Sequence, residues 1–181
     1  MKHLPNFLSI SRIFLAVLLL FVALHYDIIL PHYVDKSWVN YLTCLIFCIA
    51  SLTDFFDGYI AREYKVHSRF GEVFDPLADK MLILSAFIAL LILDRASPWA
   101  VFLILSREFF ITGLRVMVAG SGASVAASKS GKYKTGVQIT AIAFLLADFF
   151  PGGEVLLWIA VVLTLYSGAD YTIKYVKSLS V

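Results

Sequence analysis

Four aspartates placed at or inside strongly apolar runs constrain this chain more than any other feature. Asp54 and Asp57 are three residues apart near the end of one run, and Asp75 and Asp79 are four apart near the start of the next. Either spacing puts both carboxylates on one face of a helix. The short segment between the pairs is basic and contains Gly71. Two helices joined by such a turn can bring all four carboxylates to one point.

The cost of these carboxylates makes the pattern informative. A carboxylate at mid-membrane costs about 2.5–3.5 kcal/mol, so four cost roughly 10 kcal/mol if fully immersed. Clustered like charges also repel unless cations intervene. Hard divalent cations take oxygen ligands, and Mg²⁺ acts with phosphate substrates. The pattern predicts a metal site near the membrane surface; the alternative is that each aspartate caps a helix or lies in a solvated loop.

Composition indicates a polytopic membrane protein. The chain is 60% hydrophobic and 15% charged, with a mean hydropathy of +0.84, which is outside the range of a soluble domain. At about 20 apolar residues per span, 181 residues accommodate six helices in a single membrane domain, residues 1–181, and little else. The net charge of +2 gives no reason to expect a nucleic-acid partner.

The expected fold is all-α, with six transmembrane helices preceded by a short amphipathic segment at residues 1–8. A stretch rich in Gly, Ser and Lys, Ala119–Lys134, is predicted to be a mobile loop. The six spans are predicted at Ile10–Leu24, Trp38–Tyr59, Gly71–Leu93, Trp99–Val118, Thr135–Ala147 and Val155–Val176.

Charge asymmetry predicts the orientation of these spans. Six spans put both termini on one side, and of the 15 lysines and arginines only Lys36 and Arg95 fall on the other side. The positive-inside rule therefore places both termini and the aspartate cluster at the cytoplasmic face.

The aspartates also belong to a longer pattern. It reads Asp54-x-x-Asp57-Gly58-x-x-Ala61-Arg62, eight residues, Gly71-x-x-x-Asp75-x-x-x-Asp79. This resembles the full signature of the CDP-alcohol phosphotransferases, with every fixed position at the family spacing.

The resemblance implies direct displacement at the lipid-side phosphorus of a CDP-linked lipid, with release of CMP. It implies that Asp54, Asp57 and Asp75 are ligands of Mg²⁺ or Mn²⁺, with two ions expected, and that Asp79 is the general base and also near a metal. It further implies a homodimer among membrane lipids. The implied CDP site is formed by Gly58, Ala61, Arg62, Ser68 and Gly71, with Asn6 and Ser9 added by a shorter, weaker match near the start of the chain.

A second group of charges bears on the acceptor alcohol. Arg107, Arg115, Lys132 and Lys134 lie on the predicted cytoplasmic side, and such a cationic cluster suits an acceptor that carries a phosphate. The alternative is that Glu108 pairs with an arginine to tie spans together while the lysines bind anionic headgroups.

Motifs around these charges resemble one branch of the family. They are Ser106-Arg107-Glu108-Phe109-Phe110-Ile111 and Gly131-Lys132-x-Lys134-Thr135. The branch implied is bacterial, acts in the cytoplasmic (inner) membrane, and transfers the phosphatidyl group of CDP-diacylglycerol to sn-glycerol 3-phosphate. A sibling accepting inositol phosphate, serine or phosphatidylglycerol remains open. So do a small cation transporter, which needs acidic residues spread across the membrane depth, and a non-catalytic headgroup-binding scaffold.

Overall fold

The structure is a computed structural model of the chain. It describes the backbone of residues 4–25, 35–64, 69–120 and 129–179. Side chains are described for residues 9–25, 35, 37–53, 74, 76–117 and 131–176.

Every regular element in these ranges is an α-helix, as the apolar runs predict. The helices lie close to the six predicted spans, and most extend a few residues beyond them. They are α1 Leu4–Leu24, α2 Lys36–Tyr64, α3 Arg69–Ile92, α4 Pro98–Gly120, α5 Lys129–Leu146 and α6 Gly152–Leu179.

Local chemistry explains several helix ends. Asp35 precedes α2, and its Oδ1 accepts a hydrogen bond from the Ser37 backbone N–H at 2.9 Å, which is the geometry of an N-cap. Asp94 and Asp148 follow α3 and α5 with φ of 55° and 62°. After each, the chain folds back in 6→1 hydrogen bonds from Arg95 N–H to Leu90 O and from Phe149 N–H to Phe144 O. Both helices thus end in the αL cap that usually carries glycine.

The chain divides into two compact units. Unit 1 comprises Met1–Arg95 and Ala143–Phe149. In it α1 packs against both α2 and α3, and α2 contacts α3. Its fully buried side chains include Leu19 of α1, Phe47 of α2 and Phe87 of α3.

Unit 2 comprises Ala96–Ile142 and Phe150–Val181. Here α4 packs against α6, and Lys134 of α5 contacts Glu108 of α4. Ile104, Ile142 and Leu157 are fully buried. The interior also holds polar groups, including Gln138, Thr164 and Ser167.

On α1 polar side chains are buried while large apolar side chains are exposed. Ser9 and Arg12 are fully buried, whereas Phe14 and Phe21 are more than half exposed. Unit 2 repeats the arrangement: large apolar side chains of α4 and α6 face outward while the polar groups lie inside. A large exposed apolar surface, with polar groups among the buried side chains, is what a helix bundle in lipid presents.

Length and composition identify one helix of the described chain, Gly152–Val176, as apolar and long enough to cross a membrane. The shorter apolar segments Ser9–Leu24 and Ser37–Thr53 accompany it. These findings are consistent with a membrane protein and leave the number of spans as a prediction.

Two boundary predictions differ from the structure. Residues 4–8, assigned by sequence to a separate amphipathic segment, continue into α1 without a break, because Pro5 lies in the first turn, where its missing N–H is tolerated. Residues 129–134, within the predicted loop Ala119–Lys134, form the start of α5, an extension of the fifth span that the sequence left open. The Gly and Ser content suggested a loop, but a buried ion pair of Lys134 stabilises the helix there.

Candidate functional site

The four aspartates lie on two helices that contact each other. Asp54 and Asp57 are in the second half of α2, and Asp75 and Asp79 are in the first half of α3. The far ends of these helices meet at Asp148, whose Oδ2 accepts hydrogen bonds from Asn40 and Arg95. Since the start of α2 and the end of α3 lie together, the two helices are antiparallel, and the aspartate-bearing ends share the opposite end of unit 1.

Buried residues mark the faces of α2 and α3 that point into unit 1. On α2 the buried residues Val39, Thr43, Phe47 and Ala50 follow the three- and four-residue spacing of one helix face. The same spacing leads from Ala50 to positions 54 and 57. On α3, Asp79 is half-buried beside the buried Ala78 and Leu82.

Most of the predicted metal and CDP residues fall where no side chain is described. Among the described side chains, no three potential ligands of the His, Cys, Asp or Glu type come together. The metal set and the CDP set therefore stay predictions. The residues outside the described side chains are Asp54, Asp57, Asp75, Gly58, Ala61, Arg62, Ser68, Gly71 and Asn6.

Ser9, the one predicted CDP residue with a described side chain, is fully buried on α1. Arg12, one turn further along, is also fully buried. Both lie in the helix that packs on α2 and α3, which carry the aspartates. A buried guanidinium needs compensating anionic or polar groups. Arg12, which ends the short family-like match that begins at Asn6, is therefore a site candidate in addition to Ser9. The sequence signal for Arg12 was its position three residues after Ser9 in an apolar run.

The described acceptor candidates form a cluster inside unit 2. Arg107 donates from Nη1 to Glu108 Oε1 at 3.3 Å and from Nη2 to Ser167 Oγ at 2.7 Å. Lys134 Nζ forms an ion pair with the same Glu108 oxygen. The side chains of Arg107, Glu108 and Lys134 are 12%, 23% and 6% exposed. Two largely buried cations therefore share one carboxylate.

The other two acceptor candidates lie differently. Arg115 stacks over Tyr171, with its guanidinium carbon 5.4 Å from the ring centroid, which is within cation–π range. Lys132 is exposed, whereas Lys134 is buried, because residues two apart on a helix point in different directions. The structure thus brings Arg107 and Lys134 together at Glu108 and leaves Lys132 on the surface.

Sequence comparison assigns the chain to a family. The family model for CDP-alcohol phosphatidyltransferases matches residues 2–166. The chain belongs to this family. The match includes the segments of α2 and α3 that carry the aspartates, as well as the cluster at Glu108.

Curated relatives cover almost the whole chain. A protein of Bacillus subtilis strain 168 is 41% identical over 184 residues, covering 96% of this chain and 95% of its own. One of Rickettsia felis is 40% identical over 178 residues, covering 94% and 93%. One of Escherichia coli K12 is 38% identical over 155 residues, covering 79% and 83%. All three are named CDP-diacylglycerol--glycerol-3-phosphate 3-phosphatidyltransferase.

Proposed function

We propose that this protein transfers the phosphatidyl group of CDP-diacylglycerol to sn-glycerol 3-phosphate, forming phosphatidylglycerophosphate and CMP. The observation that carries the proposal is the likeness to relatives named for this activity, at 40% identity or more over at least 93% of both chains in two bacteria. The cation-rich cluster of unit 2 supports it from the structure, because an acceptor that bears a phosphate needs positive partners.

The four aspartates are suitable ligands for a divalent metal. Four aspartates on two contacting, antiparallel helices offer only carboxylate oxygens, and Mg²⁺ and Mn²⁺ prefer such hard ligands. Asp54, Asp57, Asp75 and Asp79 are the proposed ligands, and two ions are expected. A divalent ion bound there supplies charge neutralisation for the pyrophosphate and for the leaving oxygen.

The chain's own residues supply positioning and proton transfer. Asp79 takes the proton of the acceptor hydroxyl as that oxygen bonds to the lipid-side phosphorus. The bond from this phosphorus to the CMP oxygen breaks, so CMP leaves with its phosphate intact. Arg62 contacts donor phosphate, and Gly58 lets the nucleotide approach the helix backbone closely. Arg107 and Lys134 bind the acceptor phosphate, with Arg115 and Lys132 as additional candidates.

The proposed setting is the bacterial cytoplasmic membrane. Six spans, with both termini and the aspartates at the cytoplasmic face, agree with the distribution of lysines and arginines. The outward-facing apolar side chains of the helices support contact with lipid. This placement gives the site access to a membrane-bound donor and a soluble acceptor. Assembly as a homodimer stays a prediction from the family resemblance.

The test is CMP release by the purified protein in detergent with CDP-diacylglycerol and one acceptor at a time. We expect release with glycerol 3-phosphate to exceed release with serine or inositol phosphate at least tenfold, and excess chelator to abolish it until Mg²⁺ is restored. Equal release with another acceptor would assign the protein to a sibling activity. Undiminished release in chelator would contradict the metal site.

Asp79 can be tested separately from the other aspartates. Asp79→Asn should lower kcat more than it weakens nucleotide binding, whereas Asp54→Asn should weaken both metal and nucleotide binding. Calorimetric titration with CDP in the presence of Mg²⁺ distinguishes the two. Wild-type CMP release by Asp79→Asn would contradict its role as the base.

A further inference from the structure

The Arg107 side chain packs against α6 at Gly168, a residue that has no side chain. A Cβ built on Gly168 would lie 3.0 Å from both Cγ and Nε of Arg107 and 3.6 Å from its Cδ. Contacts at 3.0 Å are tighter than most real Cβ contacts, so a Cβ at position 168 would require the Arg107 side chain to shift by a few tenths of an ångström. Glycine inside a helix is less favourable than alanine, and at this position it makes room for the arginine stem.

The preceding residue fixes the head of the same side chain. Ser167 is fully buried, and its Oγ accepts the hydrogen bond from Arg107 Nη2 at 2.7 Å. The serine hydroxyl in turn donates to Thr164 O at 3.4 Å, which leaves its lone pairs toward the guanidinium. Ser167 and Gly168 together form the part of α6 that holds Arg107, called the seat below. Ser167 accepts a hydrogen bond from the guanidinium, and Gly168 leaves room for the aliphatic part of the side chain.

Other contacts of Arg107 also restrict the movement of its side chain. Nη1 is engaged by Glu108, and the arginine side chain is 12% exposed. Its buried Nε has no hydrogen-bond partner among the described residues, so the guanidinium retains one donor. A cation fixed in advance loses less conformational entropy when an anion binds.

We infer that Ser167 and Gly168 are positioning residues for acceptor recognition: they hold Arg107 in the orientation that binds the acceptor phosphate. This inference rests on the proposed function and adds two residues that no acceptor-site prediction included. Neither residue is proposed to touch the substrate. Their effect is exerted through Arg107 and is confined to the acceptor.

The decisive variant is Gly168→Ala, measured with the full-length protein in detergent. We expect the KM for glycerol 3-phosphate to rise about tenfold, the effect of losing one charge-assisted hydrogen bond, while the KM for CDP-diacylglycerol stays within twofold. Gly113→Ala and Gly136→Ala are matched controls, because no described atom lies within 4 Å of a Cβ built at either position. Both should keep the wild-type KM for the acceptor.

A double variant separates positioning from helix packing. In an Arg107→Ala background no stem remains to be displaced, so adding Gly168→Ala should not change the acceptor KM further. An equal additional rise in that background would overturn the inference. So would a Gly168→Ala protein with the wild-type acceptor KM.

Ser167→Ala is a second variant that tests the same inference if Gly168→Ala does not fold. It removes the hydroxyl without adding bulk and should raise the acceptor KM about fivefold to tenfold through loss of that hydrogen bond. A readout independent of turnover is the rise in melting temperature caused by glycerol 3-phosphate, which should shrink in Ser167→Ala. An unchanged shift would contradict the inference. If wild-type protein does not release CMP with glycerol 3-phosphate, the proposed function fails instead.

Discussion

Arg95 and Arg107 are both largely buried, but the ion pairs that they form differ in the balance of positive and negative charge. In unit 1, Arg95 donates to Leu146 O at 3.2 Å and to Asp148 Oδ2 at 3.3 Å. In unit 2, Arg107 shares Glu108 with Lys134. The Asp148 side chain is 55% exposed, whereas those of Arg107 and Lys134 are 12% and 6% exposed.

The difference separates a structural contact from the proposed acceptor site. Arg95 and Asp148 balance each other, and their contact joins the end of α3 to the end of α5. The cluster around Glu108 holds two buried cations against one carboxylate. Clustered cations favour the binding of an anion such as phosphate, and a phosphate-bearing acceptor is such an anion. We therefore expect Arg95 to affect stability and Arg107 to affect substrate use.

The first prediction, with the largest expected effect, concerns the replacement of Arg95 or Arg107 by alanine. Arg107→Ala should raise the KM for glycerol 3-phosphate about 100-fold, since it removes the charge-assisted hydrogen bonds proposed for the phosphate. Arg95→Ala should leave both KM values unchanged and lower unfolding stability by about 1 kcal/mol, as expected for a partly exposed pair. Steady-state kinetics and unfolding in mixed micelles measure the two effects. Equal effects of both variants on KM would remove the distinction.

The second prediction concerns the shared carboxylate. Glu108→Gln should destabilise unit 2 by about 3 kcal/mol, because it leaves buried Lys134 and Arg107 without their anion. Glycerol 3-phosphate or inorganic phosphate should restore part of that loss and should stabilise the variant more than the wild type. The measurement is the melting temperature with and without ligand. Glu154→Gln, at an exposed first-turn position of α6, is the control and should shift it little.

The third prediction compares the two αL aspartates. Asp94→Gly and Asp148→Gly both relieve an unfavourable positive φ, but only the second removes an ion pair with Arg95. Asp148→Gly should therefore be less stable than Asp94→Gly by about 1 kcal/mol. Unfolding midpoints of both variants provide the measurement. Equal stability would mean that Arg95 gains nothing from Asp148.

The smallest effect is expected at Asp35. The Ser37 backbone N–H, and then its hydroxyl, donate to Asp35 Oδ1 and hold the pKa of this carboxyl below its ordinary value of 3.8. A lowered folded-state pKa means that the cap stabilises α2 above the unfolded-state pKa and is lost as pH falls through the folded-state value. A carboxyl NMR titration should show a midpoint below 3.8, and Ser37→Ala should move it upward. A midpoint that Ser37→Ala leaves unchanged would contradict the side-chain contribution.

Much of the fold followed from the sequence, because apolar runs of helical length are a strong local signal. The start of α5 did not, since Gly131 and the neighbouring Ser and Lys residues suggest a loop when the contact with Glu108 is unknown. The cationic residues of the cluster were predicted from their positions. The division between buried Lys134 and exposed Lys132, and the seat at Ser167 and Gly168, depend on how separate helices pack. Those contacts leave no signature within one helix beyond small or polar residues in an apolar run.

The most direct test of acceptor recognition is the discrimination between glycerol 3-phosphate and glycerol, expressed as the ratio of their kcat/KM values. We expect wild-type protein and Arg95→Ala to prefer glycerol 3-phosphate by the same large factor, and Arg107→Ala to lose most of this preference. An Arg107→Ala protein that discriminates as well as the wild type would show that the phosphate is recognised elsewhere.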